Sequence, residues 1–251
     1  MNLDIQNLKW QYFFWVSLLI AVAASGCRGL QVVGNQSNYY KMEEQTSSDQ
    51  SIEEMIAPYK KGVDAEMNAV VGETTGDLLK AQPESTLGNF VADAILKVSD
   101  ELYKGTVDLA ISNYGGLRIV EIPEGPITKG RIFELMPFDN TLVVLEMNKA
   151  QLTQFYEHLS MSGGWPISAG VEIAIDTTNR KAEMFLNGQA LEDNKMYAVC
   201  TSDYIANGGD QCSFLIDIPR TEINILFRDA LLQYVKQTKI IEPVIENRCH
   251  F

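Results

Sequence analysis

Four short segments of this chain combine glycine with polar and aromatic side chains more densely than a buried core requires. They are Glu84–Asn89, Asn113–Arg118, Met136–Asn140 and Asp203–Asp210. Each segment lies where a predicted strand ends or a predicted helix begins, and loops at such positions line binding clefts. The pattern therefore indicates a binding site that is built from several loops.

The sequence offers no catalytic set of its own. Its two histidines are His158, expected on the solvated face of a predicted helix, and His250, the penultimate residue. Neither has a metal-ligand neighbour at a useful spacing, although a two-metal hydrolytic site needs several such ligands. Ser168 lacks the glycine two residues earlier that a nucleophile elbow requires. We expect no catalytic residue, metal site or cofactor in this chain, and independent catalysis is the less favoured alternative.

Apolar periodicity predicts the elements that must position these loops. Helical spacing runs from Phe90 to Leu102 and from Ile223 to Val235, and a shorter helix is expected over Lys149–Leu159. Strand-like runs lie between them, at Ala69–Val71, Val107–Ile111, Thr141–Leu145, Val171–Ile175 and Tyr197–Cys200. Asn187–Gly188 predicts a tight hairpin turn, because both residues tolerate positive φ. Helices and hairpins alternate without a strict βαβ rhythm, so we expect an α+β fold with a mixed sheet packed against helices.

The N-terminus has the layout of an export signal. Residues 12–24 form an apolar run that ends in small residues and is shorter than the roughly 20 residues of a membrane span. The next segment, Ala24–Cys27, resembles the lipobox of bacterial lipoproteins, in which the cysteine is acylated. We expect a signal peptide over residues 1–26, a lipidated Cys27 with a flexible tether over residues 27–50, and a domain over residues 51–251. An ordinary signal peptide before a coincidental cysteine is the alternative.

Charge and cysteine content limit the partners. The formal net charge is −13, and such a surface repels nucleic-acid polymers, whose binding normally requires a basic face. Cys200 and Cys212 flank one loop and are candidates for a disulfide, although two buried thiols are the favoured alternative. No Cys/His cluster indicates a zinc site. With Cys27 acylated, the chain is expected in the bacterial cell envelope, at the periplasmic face or the outer membrane.

Taken in order, the four segments resemble the landmarks of the C-terminal domain of the 5'-nucleotidase and UDP-sugar hydrolase family. Those landmarks are ES-x-LGN, N-x-GG-[IL]-R, PF-x-N and a final NGGD, and the resemblance runs from about Val70 to Ile240. Matched position by position, it implies that Phe138 and Tyr204 are aromatic plates that sandwich a base. It also implies that Asp210 accepts hydrogen bonds from ribose hydroxyls.

The same resemblance assigns Arg118 to the substrate phosphate or carboxylate, and Asn113 to the edge of the base. Structural alternatives remain for each position: core aromatics, a turn-stabilising aspartate, an ion-paired surface arginine and an asparagine that caps the glycine turn. One departure concerns Pro83, which stands where animal and enterobacterial members of the family carry an arginine. Lys80 is the candidate replacement, although an ammonium lacks the fork of a guanidinium.

In that family the C-terminal domain holds the nucleotide, while the N-terminal domain holds two metal ions. The resemblance thus implies the recognition half of a 5'-nucleotidase-type phosphoesterase, with a nucleotide or nucleoside as its ligand. Divalent metals would then come only through a separate metallophosphoesterase subunit. Two alternatives stay open: a nucleoside- or nucleotide-binding lipoprotein without a catalytic partner, and a structural relic of the domain.

Overall fold

A computed structural model describes residues 13–19, 49–176, 178 and 181–251. The chain divides into two units, Met1–Gln50 and Ser51–Phe251. In the first unit, residues 13–19 form an exposed helix, α1. The expected cleavage site and Cys27 lie outside the described residues. None of the described helices has both the length and the apolar character that a membrane span requires.

Six further helices occur in the described residues. They are α2 (Gln50–Met67), α3 (Thr86–Leu102), α4 (Lys129–Leu135), α5 (Lys149–Met161), α6 (Asp203–Ala206) and α7 (Phe227–Thr238). The three helices predicted from periodicity correspond to α3, α5 and α7. Ser85 caps the start of α3, because its hydroxyl accepts a hydrogen bond from the Gly88 amide at 3.0 Å.

Strands alternate with these helices along the chain. They are β1 (Val70–Thr74), β2 (Leu78–Leu79), β3 (Leu109–Ala110), β4 (Glu121–Ile122), β5 (Gly125–Thr128), β6 (Thr141–Asn148), β7 (Val171–Asp176), β8 (Lys181–Leu186), β9 (Gln189–Ala190), β10 (Met196–Ser202), β11 (Arg220–Leu226), β12 (Ile240–Ile241) and β13 (Cys249–His250). They pair in the orders β12-β1-β5, β11-β6-β10-β3, β13-β7-β8-β9 and β2-β4.

The sheet β11-β6-β10-β3 lies at the centre of the core. β10 runs parallel to β3 and antiparallel to β6, so the sheet is mixed. Successive side chains of β6 point to opposite faces, and both faces are buried. Val143 and Leu145 pack with α5, β7 and β8, whereas Leu142 and Val144 pack with α3 and α7. This arrangement confirms the predicted α+β class with a mixed sheet packed against helices.

Two local predictions have different outcomes. The Asn187–Gly188 hairpin is confirmed, since both residues have positive φ (51° and 73°) and Leu186 pairs with Gln189 across them. The helix predicted from Ile223 is wrong over its first turn, which belongs to β11. Glu222 pairs there with Val143 of the central sheet. The helical spacing is present, but edge pairing with β6 provides hydrogen bonds that an isolated helical turn lacks.

Candidate binding site

Sheet topology brings three of the four segments to one edge of the central sheet. β6 starts at Thr141, next to the end of β10, because Leu142 pairs with Ser202. β3 is parallel to β10 and ends at the same edge, with Ala110 paired to Cys200. The segments Met136–Asn140, Asp203–Asp210 and Asn113–Arg118 adjoin these strand ends. The convergence is a consequence of strand order.

Asp210 is at the centre of the site. One carboxylate oxygen, Oδ2, accepts a hydrogen bond from Asn113 Nδ2 at 2.7 Å, and the other, Oδ1, accepts one from the Tyr204 hydroxyl at 2.9 Å. The carboxylate raises the pKa of the Tyr204 phenol by accepting this hydrogen bond. A carboxylate offers about four lone-pair sites, so acceptor capacity remains on both oxygens.

The turn that carries Asp210 has an uncommon backbone. Gly208 has φ 92° and Asp210 itself has φ 48°, in the left-handed region that aspartate tolerates better than most residues. Gly209 lies so close to Tyr204 that a Cβ atom there would come within 2.5 Å of the tyrosine ring. The two glycines therefore permit the close approach of the turn to the Tyr204 ring.

His158 contacts the same turn from α5. Its Nε2 atom lies 2.9 Å from the carbonyl oxygen of Asp210, and its ring packs edge-on against Trp165 and Phe214, at 5.6 Å between centroids in each case. The expectation of a solvated histidine is therefore wrong. His158 is three residues after the buried Phe155 and borders the buried face of the helix. Because a carbonyl oxygen only accepts, Nε2 carries the proton in this contact.

Phe138 protrudes from the loop before β6, with 40% of its surface exposed. Arg228, in the first turn of α7, fixes this loop: its Nη1 donates to the Phe138 carbonyl at 3.1 Å and its Nη2 to Asp139 Oδ1 at 2.6 Å. Asp203 connects the loop to α6, since one of its oxygens accepts hydrogen bonds from the amides of Thr141 and Tyr204. Sequence reasoning missed Arg228, for which no local signal exists.

Two cations lie beside the site. Arg118 is exposed, with its guanidinium carbon 5.7 Å from the centroid of the Phe138 ring. Among the described residues its only side-chain hydrogen bond is a long one, 3.4 Å, to the Gly115 carbonyl. Lys80 donates to the Leu117 carbonyl at 2.7 Å. Burial, followed by the charge of Arg118, lowers the pKa of Lys80.

The first segment has a structural role in the fold. Glu84 accepts hydrogen bonds from Asn89 Nδ2 at 2.6 Å and from the amides of Glu246 and Arg248 at 2.9 and 3.0 Å. It thus connects the start of α3 to the C-terminal segment. Pro83 packs against Gly164, where a Cβ would meet the Pro83 carbonyl at 2.5 Å.

Within the described ranges, the cysteine thiols and Ser168 are buried in the fold. Cys200, Cys212 and Cys249 are buried free thiols, and burial raises the pKa of each to about 12. Cys200 and Cys212 therefore form no disulfide. Ser168 is buried and its hydroxyl accepts a hydrogen bond from the Ala110 amide at 2.9 Å. Within the part of the chain that the structure describes, no three or more His, Cys, Asp or Glu side chains group as metal ligands would.

The fold and the loop cluster define the chain as an α+β domain in which polar and aromatic loop side chains gather at one end of the central sheet. Residues 70–216 match the family model "5'-nucleotidase, C-terminal domain", which is more than half of the chain. The protein therefore belongs to the 5'-nucleotidase C-terminal domain family.

Individual relatives agree with this assignment. The chain is 28% identical over 200 residues to the trifunctional nucleotide phosphoesterase protein YfkN of Bacillus subtilis, covering 72% of this chain and 14% of that protein. It is 26% identical to protein UshA of Yersinia enterocolitica, and the match covers 77% of this chain and 36% of that protein. The crystal structure of a 5'-nucleotidase precursor from Thermus thermophilus is similar to this chain, with a TM-score of 0.68 and 28% identity. The match covers 78% of this chain and 42% of that one. The chain thus spans less than half the length of these relatives.

Proposed function

We propose that this domain binds a nucleoside or nucleotide at the edge of its central sheet. In this proposal the base stacks between Phe138 and Tyr204, and the ribose hydroxyls donate to Asp210. Asn113 lies at the edge of the base, and Arg118 binds the phosphate. The observation that carries the proposal is the Asp210 carboxylate, which Asn113 and Tyr204 orient by hydrogen bonds while its oxygens keep further acceptor sites.

The hydrogen-bonding capacity of a carboxylate at position 210 suits a sugar. A carboxylate only accepts hydrogen bonds, and a pair of vicinal hydroxyls supplies two donors. A neutral amide at this position would offer one acceptor oxygen and two competing donors. The site is therefore better matched to a riboside than to a free base.

The aromatic rings supply the second argument. Phe138 and Tyr204 expose 40% and 44% of their surfaces, so both rings are in contact with solvent, and the Tyr204 ring lies next to Asp210. Stacking on a flat heterocycle would remove much of the exposed ring area from water and tolerates any base, because every base has a π-face. Arg118 adds a guanidinium that no carboxylate among the described residues neutralises, and a guanidinium fork matches two phosphate oxygens.

Calorimetric titration of the purified protein with adenosine, AMP and adenine tests this proposal. Removing one stacking ring from a nucleic-acid-binding protein costs roughly 1 to 3 kcal/mol per base, so Phe138→Ala and Tyr204→Ala should each weaken binding about 5- to 150-fold. Asp210→Ala should weaken the nucleoside and spare adenine. Phe251→Ala is the matched control, since Phe251 is 66% exposed and remote in sequence from the three loops.

Each variant must unfold at a temperature close to that of the wild type before its affinity is interpreted. If the wild type binds none of the three ligands at millimolar concentration, the proposal is wrong and the structural-relic alternative gains support. Normal binding by both folded ring variants would exclude the sandwich while leaving the domain a possible ligand-binding module of another geometry.

We further propose that phosphoester cleavage, where this protein takes part in it, uses a separate metallophosphoesterase that supplies the divalent metals. The support is the residue inventory, which contains two histidines against the several that a two-metal site requires. His158 is also already hydrogen-bonded to the Asp210 carbonyl. Mixing the protein with an exported metallophosphoesterase and Mn²⁺ should produce AMP hydrolysis that neither protein shows alone.

The reconstituted activity should fall in the Asp210→Ala variant. Hydrolysis by this chain alone, constant through purification and unaffected by Asp210→Ala, would contradict the proposal of a separate catalytic subunit. Nucleoside binding without activity in any mixture would favour the alternative of a non-catalytic binding protein.

A further inference from the structure

The position of the Phe138 ring depends on its backbone. Within the described residues, Phe138 belongs to neither of the hydrophobic clusters that form on the two faces of the central sheet. The guanidinium carbon of Arg118 lies 5.7 Å from the ring centroid, but Arg118 is itself exposed. A side chain outside the core is placed by the loop that carries it, so whatever holds this loop also holds the ring.

Helix α7 contacts the Phe138 loop at three successive residues. The Asn140 carbonyl accepts a hydrogen bond from the Phe227 amide at 2.8 Å. The two preceding residues are held by one guanidinium, since Arg228 Nη1 donates to the Phe138 carbonyl at 3.1 Å and Nη2 to Asp139 Oδ1 at 2.6 Å. Two hydrogen bonds from one planar group to neighbouring residues restrict rotation of the peptide unit that joins them.

Arg228 is itself held in place. Its side chain is only 16% exposed, and its guanidinium carbon lies 5.0 Å from the centroid of the Phe133 ring. The residue before it, Phe227, is buried in the core. The Asp139 side chain, by contrast, is 83% exposed, so attraction between the two charges is worth little by itself. The fixed fork of the guanidinium is therefore the main contribution of Arg228 to the loop.

We propose that Arg228 is a positioning residue for ligand binding, which holds the Phe138 ring where it stacks on a base. This inference rests on the proposed function, because it concerns a ring that stacks in that proposal. Both terminal nitrogens of Arg228 already donate to the loop, so its effect on the ligand passes through Phe138. Without Arg228 the loop gains conformational freedom, and binding must then include the cost of ordering it.

The affinities of three ligands identify this role. A misplaced ring affects the base, which adenine, adenosine and AMP share, so Arg228→Met should weaken all three by the same factor. We expect about 2- to 13-fold, the range of one net hydrogen bond. A role for Arg228 as a positive charge that attracts phosphate would instead weaken AMP most. Damage around Asp210 would weaken adenosine and AMP and spare adenine.

Three further variants separate geometry from charge. Arg228→Lys keeps the charge without the planar fork, so its affinities should stay below those of the wild type. Lys236→Met is the matched control, because it removes the same charge at an exposed position about two turns further along α7 and should have no effect. Asp139→Ala removes one of the two loop contacts from the solvent side without disturbing the core. It should weaken all three ligands by a smaller factor, and it tests the inference if Arg228→Met is unstable.

A double-mutant cycle distinguishes positioning of the ring from a general structural role. If Arg228 acts only through the Phe138 ring, then Arg228→Met should cause no further loss of adenosine affinity in the Phe138→Ala background. General destabilisation of the domain would weaken adenosine binding in either background. Calorimetry on the four proteins of the cycle measures this difference.

The ring can also be followed without a ligand. Replacement of Phe138 by 4-fluorophenylalanine gives a 19F NMR line from this position alone. The chemical shift and relaxation of that line should change in Arg228→Met, because the ring gains motion, and should stay as in the wild type in Lys236→Met.

The outcomes separate this inference from the proposed function. If Phe138→Ala weakens binding while Arg228→Met changes neither the three affinities nor the 19F line, the inference is wrong and the proposed function stands. A loss confined to AMP, full recovery in Arg228→Lys, or an additive loss in the Phe138→Ala background also overturns the inference. A wild type that binds none of the three ligands overturns the proposed function, and the 19F line then decides whether Arg228 positions the ring.

Discussion

At the scale of single residues, the hydrogen bond of the Tyr204 hydroxyl determines the expected effect of Tyr204→Phe on nucleoside binding. Considered only as a stacking ring, Tyr204 should tolerate phenylalanine almost silently. The structure shows its hydroxyl donating to Asp210 Oδ1 at 2.9 Å, and the raised pKa keeps that donor protonated at neutral pH. A net hydrogen bond is worth about 0.5 to 1.5 kcal/mol, so Tyr204→Phe should weaken nucleoside binding about 2- to 13-fold and leave adenine unchanged.

Calorimetry with adenosine and adenine checks this expectation. Tyr103→Phe is the matched control, because the Tyr103 hydroxyl also contacts a carboxylate, Glu146, at 3.3 Å, outside the binding loops. Equal losses for adenosine and adenine would mean that the substitution displaced the ring, and that the hydroxyl does not act through Asp210.

His158 is a positioning residue in the same network. His158→Phe keeps the ring packing with Trp165 and Phe214 but removes the donor to the Asp210 carbonyl, so the turn should loosen and adenosine binding should weaken about 2- to 13-fold. His158→Gln retains an N–H donor and should restore part of the affinity. Calorimetry on both variants measures the effect, and an unchanged adenosine affinity in His158→Phe would show that the contact is dispensable.

At the scale of elements, the C-terminal strand β13 is connected to α3 through one arginine. The Arg248 side chain is 2% exposed, and its N–H groups donate to Asp93, Glu246 and the Ile167 carbonyl. Both terminal nitrogens bind Asp93, at 2.7 and 2.8 Å, in a bidentate pair. This guanidinium therefore joins the helix that follows the first segment to the end of the chain.

Arg248→Met should destabilise the domain strongly, because it leaves Asp93 facing a largely buried site without its partner. Breaking a buried pair costs roughly 3 to 5 kcal/mol, and the partial exposure of Asp93 puts the expected loss near the lower end, about 3 kcal/mol. Thermal unfolding should show a Tm lower by about 6 to 12 °C. Arg131→Met removes an exposed ion pair to Glu134 and a hydrogen bond to the Glu121 carbonyl. It serves as the surface control, with an expected loss of about 1 to 2 kcal/mol, below that of Arg248→Met.

A decrease of equal size in the two arginine variants would contradict this account. It would mean that burial of the Arg248 pair adds nothing beyond an ordinary surface contact. The measurement needs no ligand, so it is independent of any function.

At the scale of the whole molecule, we propose that acylation of Cys27 attaches the protein to a membrane. Acyl chains contribute roughly 0.8 kcal/mol per buried CH₂, and two or more chains hold a protein stably on a membrane. Cys27→Ser should therefore release the protein into the soluble fraction of bacterial cells, as immunoblotting after ultracentrifugation measures. If the variant still sediments with membranes and the wild type incorporates no labelled fatty acid, the lipoprotein proposal is wrong.

Much of the architecture follows from the sequence because its causes are local. Period-3.6 burial defines α3 and α5, and the tolerance of Asn187 and Gly188 for positive φ defines the hairpin. β11 shows the limit of prediction from local patterns. Ile223 lies at helical spacing with α7, but it belongs to a strand that pairs with β6. Such pairing joins residues about 80 positions apart, and no local pattern encodes it.

The features of the site also fall into those that follow from local sequence and those that follow from tertiary structure. The sequence alone predicted four candidate loops, and the resemblance of their motifs to the 5'-nucleotidase family assigned Asn113, Arg118, Phe138, Tyr204 and Asp210 as candidate binding residues, since such motifs are properties of short segments. Only the tertiary structure decided that Asn113 and Tyr204 both donate to Asp210, that His158 contacts the Asp210 turn, and that Arg228 fixes the Phe138 loop. Three of these contacts, those of Asn113, His158 and Arg228, depend on strand order and helix packing, because they join residues that are 52 to 97 positions apart.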